Sequence, residues 1–256
     1  MPKFAANLTM MFNEVTFTQR FSAAANAGFN AVEFLFPYDY APQELAQLLT
    51  DNHLQSVLFN LPPGDWNSGE RGLAALPGRE EEFRTSVTLA LEYAQVLHTP
   101  RLHVMAGVVP AGINLQLCHE TYCQNLIYAA KEANKHRIEL LIEPINTRDM
   151  PGYFLNFQEQ AHAILQAVGE SNLKVQMDFY HAQIMEGDLS STLIQHIDDI
   201  GHIQIASVPG RNEPDDGEVN YPYLFALLDQ LGYQGWVGCE YRPRGRTEDG
   251  LKWLPA

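Results

Sequence analysis

The feature of this sequence that most restricts its fold is an alternation of apolar and amphipathic segments that repeats eight times. The apolar segments read as buried strands and lie at 4–10, 31–36, 54–61, 101–107, 138–145, 173–179, 201–208 and 236–241. Amphipathic stretches with three- and four-residue apolar spacing fill the intervals at 17–27, 42–52, 80–98, 115–137, 157–168, 189–200 and 222–231. Strands that alternate with helices in this way form a parallel sheet.

Eight strands and seven interior helices predict a single (β/α)8 TIM barrel domain over residues 1–256. Such barrels commonly span about 250 residues, and no composition shift, low-complexity tract or linker marks a second domain. A doubly wound open sheet is the rival, but no Gly-rich phosphate turn follows the first strand. Only about 15 residues follow the last strand, so the closing helix should be short or irregular.

The composition limits the partners, the disulfide bonds and the location that can be expected for this protein. A formal net charge of −15 at pH 7 disfavours a nucleic-acid or anionic-membrane surface, because both require a positive field. Three cysteines are an odd number, which argues against a disulfide framework. The sequence shows neither a signal-peptide pattern nor an uncharged apolar run of about 18 residues. A cytoplasmic protein is therefore predicted, and a homo-oligomer is compatible with the sequence.

Polar residues end the last four predicted strands: Glu143, Asp178, Gln204 and Glu240. A carboxylate inside a buried strand is costly unless it is paired or bound to a metal. The C-terminal ends of neighbouring barrel strands converge on one face, where active sites lie. Three carboxylates and one amide oxygen suit a hard divalent cation, so Mg²⁺ or Mn²⁺ is predicted rather than Zn²⁺.

Each of these residues also has an ordinary structural explanation. Glu143 or Asp178 could cap the next helix, Glu240 could pair with Arg242, and Gln204 could bond a neighbouring backbone group. Their consecutive occurrence at the ends of strands five to eight favours the metal site.

Three further side chains are candidates for substrate binding. His181 should lie just past strand six, where it could hold a substrate hydroxyl or orient a carboxylate; the alternative is a solvated loop histidine. Arg71 and Arg211 lie in two long connections, 62–78 and 209–221, that belong to the C-terminal face of a barrel. Their planar guanidinium groups suit an anionic substrate, although lone loop arginines are often solvated.

The two long connections differ in what they contain. Trp66 and Leu76 give the first one apolar side chains to pack, which favours a lid over a mobile loop. His103 and His202, which lie inside predicted strands, are interpreted as structural residues.

Several long motifs resemble the hydroxypyruvate isomerase family, which belongs to the xylose-isomerase-like barrels. They are FNLPPGDWNSGERGLAALPGREEEF at 59–83, LIEPIN, QMDFYHAQIMEGDL and HIQIASVPGRNEPDDGEVNY, and the similarity covers essentially the whole chain. The resemblance implies that Glu143 and Glu240 are the paired acid/base residues and that, with Asp178 and Gln204, they ligate a divalent metal. Related sugar epimerases commonly have His where Gln204 stands, which weakens the expectation of tight transition-metal binding.

The resulting hypothesis is an intramolecular oxidoreductase of the aldose–ketose type. It would move a carbonyl between adjacent carbons of a small hydroxy-oxo acid through a metal-stabilised enediolate. The resemblance includes isomerases of hydroxypyruvate, which yields tartronate semialdehyde, and of four-carbon 2-oxo-tetronates, and the motifs do not separate the two.

Three alternatives remain at this point. A metal-dependent ketose epimerase or a sugar-acid dehydratase could use the same barrel and would differ in its products. A phosphodiesterase of the endonuclease IV type would need a His-rich multinuclear zinc site and a basic DNA-binding face, which a net charge of −15 disfavours. A catalytically silent sugar-acid-binding protein is disfavoured by the presence of both Glu143 and Glu240.

Overall fold

The structure, a computed structural model, describes residues 1–254. Eight parallel strands close into a barrel in chain order. The strands are β1 Lys3–Asn7, β2 Ala31–Phe34, β3 Gln55–Asn60, β4 Arg101–His103, β5 Glu139–Ile142, β6 Leu173–Asp178, β7 Ile200–Ile205 and β8 Trp236–Cys239. The predicted TIM barrel is therefore confirmed, and the actual strands are shorter than the apolar segments that indicated them.

The helices surround the barrel. They are α1 Phe17–Asn26, α2 Pro42–Asp51, α3 Glu80–Leu97, α4 Leu115–Asn134, α5 Gln158–Val168, α6 Phe179–Met185, α7 Leu189–His196 and α8 Tyr221–Gln230. A 3₁₀ segment, Thr247–Trp253, follows β8 in place of a full closing helix, as the short remaining sequence predicts. The prediction of seven interior helices was wrong by one, because α6 begins directly where β6 ends and leaves no loop between them.

The barrel interior changes character along its axis. The lower part contains a small apolar cluster made of Ala5, Ala31, Val57, Leu58 and Leu141. Towards the C-terminal ends of the strands the buried side chains become polar, and this set includes Asn7, Glu33, His103, Gln176, Asp178, His202 and Gln204. Buried polar groups are costly unless they are hydrogen-bonded or bound to a ligand. The polar end therefore marks the face of the barrel where a site lies.

The first long connection packs against this face. Gly72 has φ +117° and pairs with Ala106 in an isolated antiparallel bridge. A Cβ at Gly72 would overlap the backbone carbonyl of Met105, so only glycine permits this close approach. The ring of Trp66 packs edge-on against Phe36 with 5.1 Å between centroids. The connection is thus anchored to the barrel wall and lies beside its mouth.

Within residues 1–254, no helix is both long and apolar enough to cross a membrane.

Candidate active site

Four ionisable side chains meet at the C-terminal mouth of the barrel. Glu143 and Glu240 each stand one residue beyond a strand end, and Asp178 is the last residue of β6. Together with His181 they offer ligand atoms that all lie within 4.8 Å of one another. All four side chains are buried. The structure thus brings together three of the four predicted metal ligands and adds a histidine.

Asp178 lies at a strand–helix junction, and its two carboxylate oxygens have different surroundings. Its Oδ1 accepts a hydrogen bond of 2.7 Å from the backbone nitrogen of Tyr180, so it caps α6 as well as ending β6. Its other oxygen, Oδ2, is buried without a hydrogen-bond partner among the described residues. The helix-capping alternative is therefore correct for one oxygen, and the second oxygen remains available to a cation.

His181 lies in α6 and is buried, so neither the expected loop position nor the solvated alternative holds. Asn146 donates to its Nδ1 from both the backbone nitrogen, at 3.3 Å, and Nδ2, at 2.6 Å. The other ring nitrogen, Nε2, lies 3.4 Å from Arg211 Nη2, 3.7 Å from Asp178 Oδ2 and 4.0 Å from Glu143 Oε1. Burial, and then the charge of Arg211, lowers the pKa of His181.

Arg211 reaches from the second long connection into the same cluster. Its Nη2 donates to Glu240 Oε2 at 2.5 Å and lies 3.7 Å from Asp178 Oδ2. Nη1 contacts Asp149 Oδ2 at 3.5 Å, and the guanidinium lies over the ring of Tyr180, 4.8 Å from its centroid. The backbone of Arg211 is left-handed, with φ +54°. Arg211 is the positive group closest to the carboxylates.

Burial dominates the electrostatics of the three acids. It raises the pKa of Glu143, with further increases from the charges of Glu240 and Asp178. It raises the pKa of Asp178 to about 6 and that of Glu240 to about 8, while the charge of Arg211 opposes both shifts. The site therefore holds carboxylic groups whose proton affinity is far above that of surface acids.

The donor set fits a hard divalent cation. Glu143 Oε1 and Asp178 Oδ2 are buried oxygens that lack a hydrogen-bond partner in the described chain. Carboxylate oxygens are the preferred ligands of Mg²⁺ and Mn²⁺. Gln204 lies beside Asp178 in the β6–β7 register, and its Oε1 already accepts a 2.6 Å bond from Gln176. An amide oxygen has a second lone pair, so the role predicted for Gln204 stays a prediction.

A cavity of about 280 Å³ opens onto this cluster. Its walls include Glu143, Glu240, His181, Arg211 and Arg71. Pockets for drug-sized molecules are about 300–1,000 Å³, so this volume suits a small metabolite.

Arg71 lies on the rim of this cavity. Its guanidinium carbon is 3.7 Å from the centroid of the Trp66 ring, and its Nη1 donates to the carbonyl oxygens of Trp66 and Glu70. The side chain is half-buried, and no other hydrogen bond of its guanidinium is present within residues 1–254. The remaining N–H groups are therefore available to a ligand.

Two parts of the site went unrecognised in the sequence. His103 lines the cavity, with Nδ1 3.5 Å from Glu143 Oε2 and a buried Nε2 that has no partner among the described residues. Glu33 is buried on β2 and hydrogen-bonds Gln204 and His202. Both residues carry the signal that identified the other candidates, a polar side chain near the end of a buried strand; from the sequence, His103 was interpreted as structural and Glu33 was not a candidate.

Known proteins share this whole architecture. The family model described as a xylose isomerase-like TIM barrel matches residues 21–256. A 2-oxo-tetronate isomerase from Cupriavidus necator is 59% identical over 99% of this chain and 98% of its own length. The hydroxypyruvate isomerase of Escherichia coli is 50% identical over the same shares of the two chains.

The chain belongs to the hydroxypyruvate isomerase family of xylose isomerase-like TIM barrels.

This membership confirms the resemblance inferred from the motifs, together with the prediction of an enzyme of the isomerase class. A crystal structure from Brucella melitensis, described as an AP endonuclease of family 2, superposes with a TM-score of 0.98 at 54% identity over 99% of this chain and 98% of that one. The Escherichia coli 3-keto-D-glucoside 4-epimerase has a TM-score of 0.82 at only 20% identity over 99% and 98% of the two chains, which shows a common fold alone.

Proposed function

We propose that the protein moves a carbonyl between adjacent carbons of a small hydroxy-oxo acid, either a 2-oxo-tetronate or hydroxypyruvate. The observation that carries this proposal is that Glu143 and Glu240 face one small cavity from strands β5 and β8, which are not neighbours in the barrel. Two carboxyl groups on different sides of a substrate can remove a proton at one carbon and supply one at the next. The names of the 59% and 50% identical relatives support the same reaction.

The charge state of Glu143 and Glu240 determines whether they can make this exchange. A proton on a carbon beside a carbonyl is weakly acidic, and a carboxylate of ordinary pKa is a poor base for it. Without a cation, burial raises the pKa of Glu143, and it raises that of Glu240 to about 8. A bound divalent cation would oppose this rise, as Arg211 does, and keep the two carboxylates ionised for ligation and proton transfer. One carboxylate accepts the proton while the other donates, and each contributes roughly 10²–10⁴-fold.

Glu143, Asp178 and Glu240 would hold a divalent cation, Mg²⁺ or Mn²⁺, with the amide oxygen of Gln204 as a fourth ligand. Such a cation, when bound, supplies electrostatic stabilisation for the negative charge that develops on the substrate oxygens. His181 presents Nε2 to the same space and is held there by Asn146, so it suits a substrate hydroxyl.

The substrate carboxylate has two candidate partners. Arg211 already bonds Glu240 and lies near Asp178 and Asp149. Arg71 uses only Nη1, which leaves its other N–H groups for a bidentate contact with a carboxylate. We therefore assign the substrate carboxylate to Arg71, and we assign to Arg211 the balancing of charge inside the cluster.

An NMR screen tests this function. Three- and four-carbon oxo acids are incubated with the protein and Mg²⁺ or Mn²⁺, and the products are identified. The expected product is the positional isomer in which carbonyl and hydroxyl have exchanged carbons. An epimer or a dehydrated acid would instead support the ketose epimerase or sugar-acid dehydratase alternative. Cleavage of DNA at abasic sites is assayed in parallel. If it occurred, it would favour the endonuclease activity that the description of the Brucella melitensis relative names.

A further inference from the structure

A further buried carboxylate lies beside the active-site cluster of Glu143, Asp178 and Glu240. Glu33, on β2, is 1% exposed and is not one of the four clustered residues. It accepts hydrogen bonds from Asn7 Nδ2 at 3.0 Å and Gln204 Nε2 at 2.7 Å, and its Oε2 lies 2.7 Å from His202 Nε2. A buried carboxylate is stable only when such donors satisfy it. Three side chains from β1 and β7 thus converge on Glu33.

Amide side chains link Glu33 to Glu240 on one side, and to Gln204 and Gln176 on the other. Asn7 Nδ2 also lies 3.5 Å from Glu240 Oε1. On the other side, Gln204 Oε1 accepts a 2.6 Å bond from Gln176 Nε2. Gln176 lines the same cavity as Glu143. The carboxylate of Glu33 is therefore linked to Glu240 through one amide and to the wall of this cavity through two.

We propose that Glu33 is a positioning residue that sets the direction of the Gln204 amide group. The oxygen and NH₂ ends of an asparagine or glutamine side chain have nearly the same shape, so only their partners decide which way the group faces. An ionised carboxylate accepts hydrogen bonds and cannot donate them. Glu33 therefore attracts the NH₂ group of Gln204; it also accepts from Asn7, whose oxygen is already held by the backbone nitrogens of Thr9 and Met10. The oxygen of Gln204, the atom predicted to bind the cation, then faces Gln176 and is not turned towards Glu33.

The local backbone leaves room for this carboxylate. Gly238 lies on β8, two residues before Glu240, and a Cβ at that position would overlap both carboxylate oxygens of Glu33. A residue with any side chain would displace Glu33 or force β8 outwards. The backbone of β8, which leads to Glu240, therefore leaves the space that the carboxylate of Glu33 occupies.

The inference deepens the proposed function and rests on it for the catalytic roles of Glu143 and Glu240. Replacement of Glu33 by glutamine preserves the size of the side chain but adds a donor. The direction of the Gln204 amide is then no longer fixed, and its NH₂ group can take the place of the oxygen that is predicted to bind the cation. Replacement by aspartate shortens the side chain but keeps a group that only accepts.

The experiment compares Glu33→Gln, Glu33→Asp and wild type by calorimetric titration with Mn²⁺, without substrate, and by kcat and KM. Removing a group that orients metal ligands typically costs about 10–100-fold in metal affinity or activity. We expect a loss of that size in Glu33→Gln, with kcat lowered more than KM is changed, and a smaller loss in Glu33→Asp. The opposite order, with Glu33→Gln close to wild type and Glu33→Asp impaired, would show that only side-chain volume matters and would overturn the proposal.

Two further variants make the result decisive. Gly238→Ala displaces the Glu33 carboxylate without changing its chemistry, so it should reproduce the loss and replaces Glu33→Gln if that variant does not fold. Glu139→Gln removes a carboxylate paired with Arg101 at the far end of β5 and should behave like wild type. If wild type itself does not isomerise oxo acids, the proposed function fails while the Mn²⁺ affinities still decide the role of Glu33. If wild type is active and Glu33→Gln matches it, only the role of Glu33 fails.

Discussion

Arg211 and Glu240 form a buried ion pair at the mouth of the barrel, with Nη2 2.5 Å from Oε2. The same guanidinium lies 3.7 Å from Asp178 Oδ2 and 3.5 Å from Asp149 Oδ2. A single cation thus faces three carboxylates, and its charge opposes the rise in pKa that burial causes at Asp178 and Glu240. Arg211 and a bound divalent cation would neutralise the same negative charges.

Arg211→Met should destabilise the protein more in the presence of EDTA than in the presence of Mg²⁺. The substitution leaves buried carboxylates without their positive partner, a loss of about 3–5 kcal/mol in comparable buried pairs. A bound divalent cation supplies replacement charge and should recover part of the loss. Thermal unfolding with and without Mg²⁺ measures the difference. An equal loss of stability under both conditions would contradict the shared electrostatic role.

Arg71→Met should raise KM for an oxo acid strongly while affecting a neutral ketose analogue much less. The expected cost is roughly 2–5 kcal/mol, since a desolvated substrate carboxylate would lose its charged partner. Steady-state kinetics on the acid and on the neutral analogue give the comparison. Arg84→Met, which removes an exposed arginine of α3 paired with Glu81, is the matched control and should leave both KM values unchanged. Equal effects of Arg71→Met on acid and neutral substrates would remove the basis for the oxo-acid assignment.

Asp178→Asn should weaken the binding of Mg²⁺ and Mn²⁺ without unfolding the barrel. The amide can still accept the bond from the backbone nitrogen of Tyr180, so the cap of α6 is retained. The charge of the second, unpartnered oxygen is lost, and a hard cation binds a neutral oxygen less well. Calorimetric titration with Mn²⁺ checks the affinity and circular dichroism checks the fold. Unchanged affinity would exclude Asp178 from the metal site.

The stability of the protein should fall between about pH 6.5 and pH 4 in part because of His162. Burial lowers the pKa of this histidine to about 4, with a further decrease from His196, whose ring stacks on it at 3.6 Å. The unfolded chain, in which a histidine has a pKa near 6.5, takes up a proton in this interval while the folded protein does not. Protonation therefore favours unfolding as the pH decreases, and above about pH 6.5 the contribution is constant.

His162→Phe keeps a ring in the stack and removes the titrating group, so its stability should depend less steeply on pH in this interval than that of wild type. His136→Phe, at an exposed position, is the control and should retain the wild-type slope. Denaturant unfolding at pH 7, 6 and 5 measures the slopes. Parallel curves for wild type and His162→Phe would show that His162 does not contribute.

The barrel could be predicted from the sequence because each strand and helix carries its own local pattern of apolar residues. Helix α6 was missed because its first residue follows Asp178 directly, so one residue both ends a strand and caps a helix. A boundary of this kind has no turn residues to mark it. His181 was therefore placed in a loop, although its spacing from Asp178 was read correctly.

The convergence of the strand ends could be predicted, but the contacts made across the barrel could not. Glu143, Asp178 and Glu240 meet because every barrel strand ends at the same face. Glu33 and His202 are 169 positions apart and are joined by a hydrogen bond across the interior, which no local pattern indicates. Arg211 has a left-handed backbone, and the direction in which its side chain points was likewise not predictable.

The central claim is that one of Glu143 and Glu240 removes a proton from a substrate carbon and the other supplies a proton to the adjacent carbon. It is tested most directly by following the isomerisation of an oxo acid in D₂O by NMR, with wild type, Glu143→Gln and Glu240→Gln at saturating Mn²⁺. The account predicts deuterium at the product carbon that gains a hydrogen and a kcat lower by roughly 10²–10⁴-fold in each variant, with KM little changed. Complete retention of the original hydrogen in the product, or near-normal kcat in either variant, would contradict it.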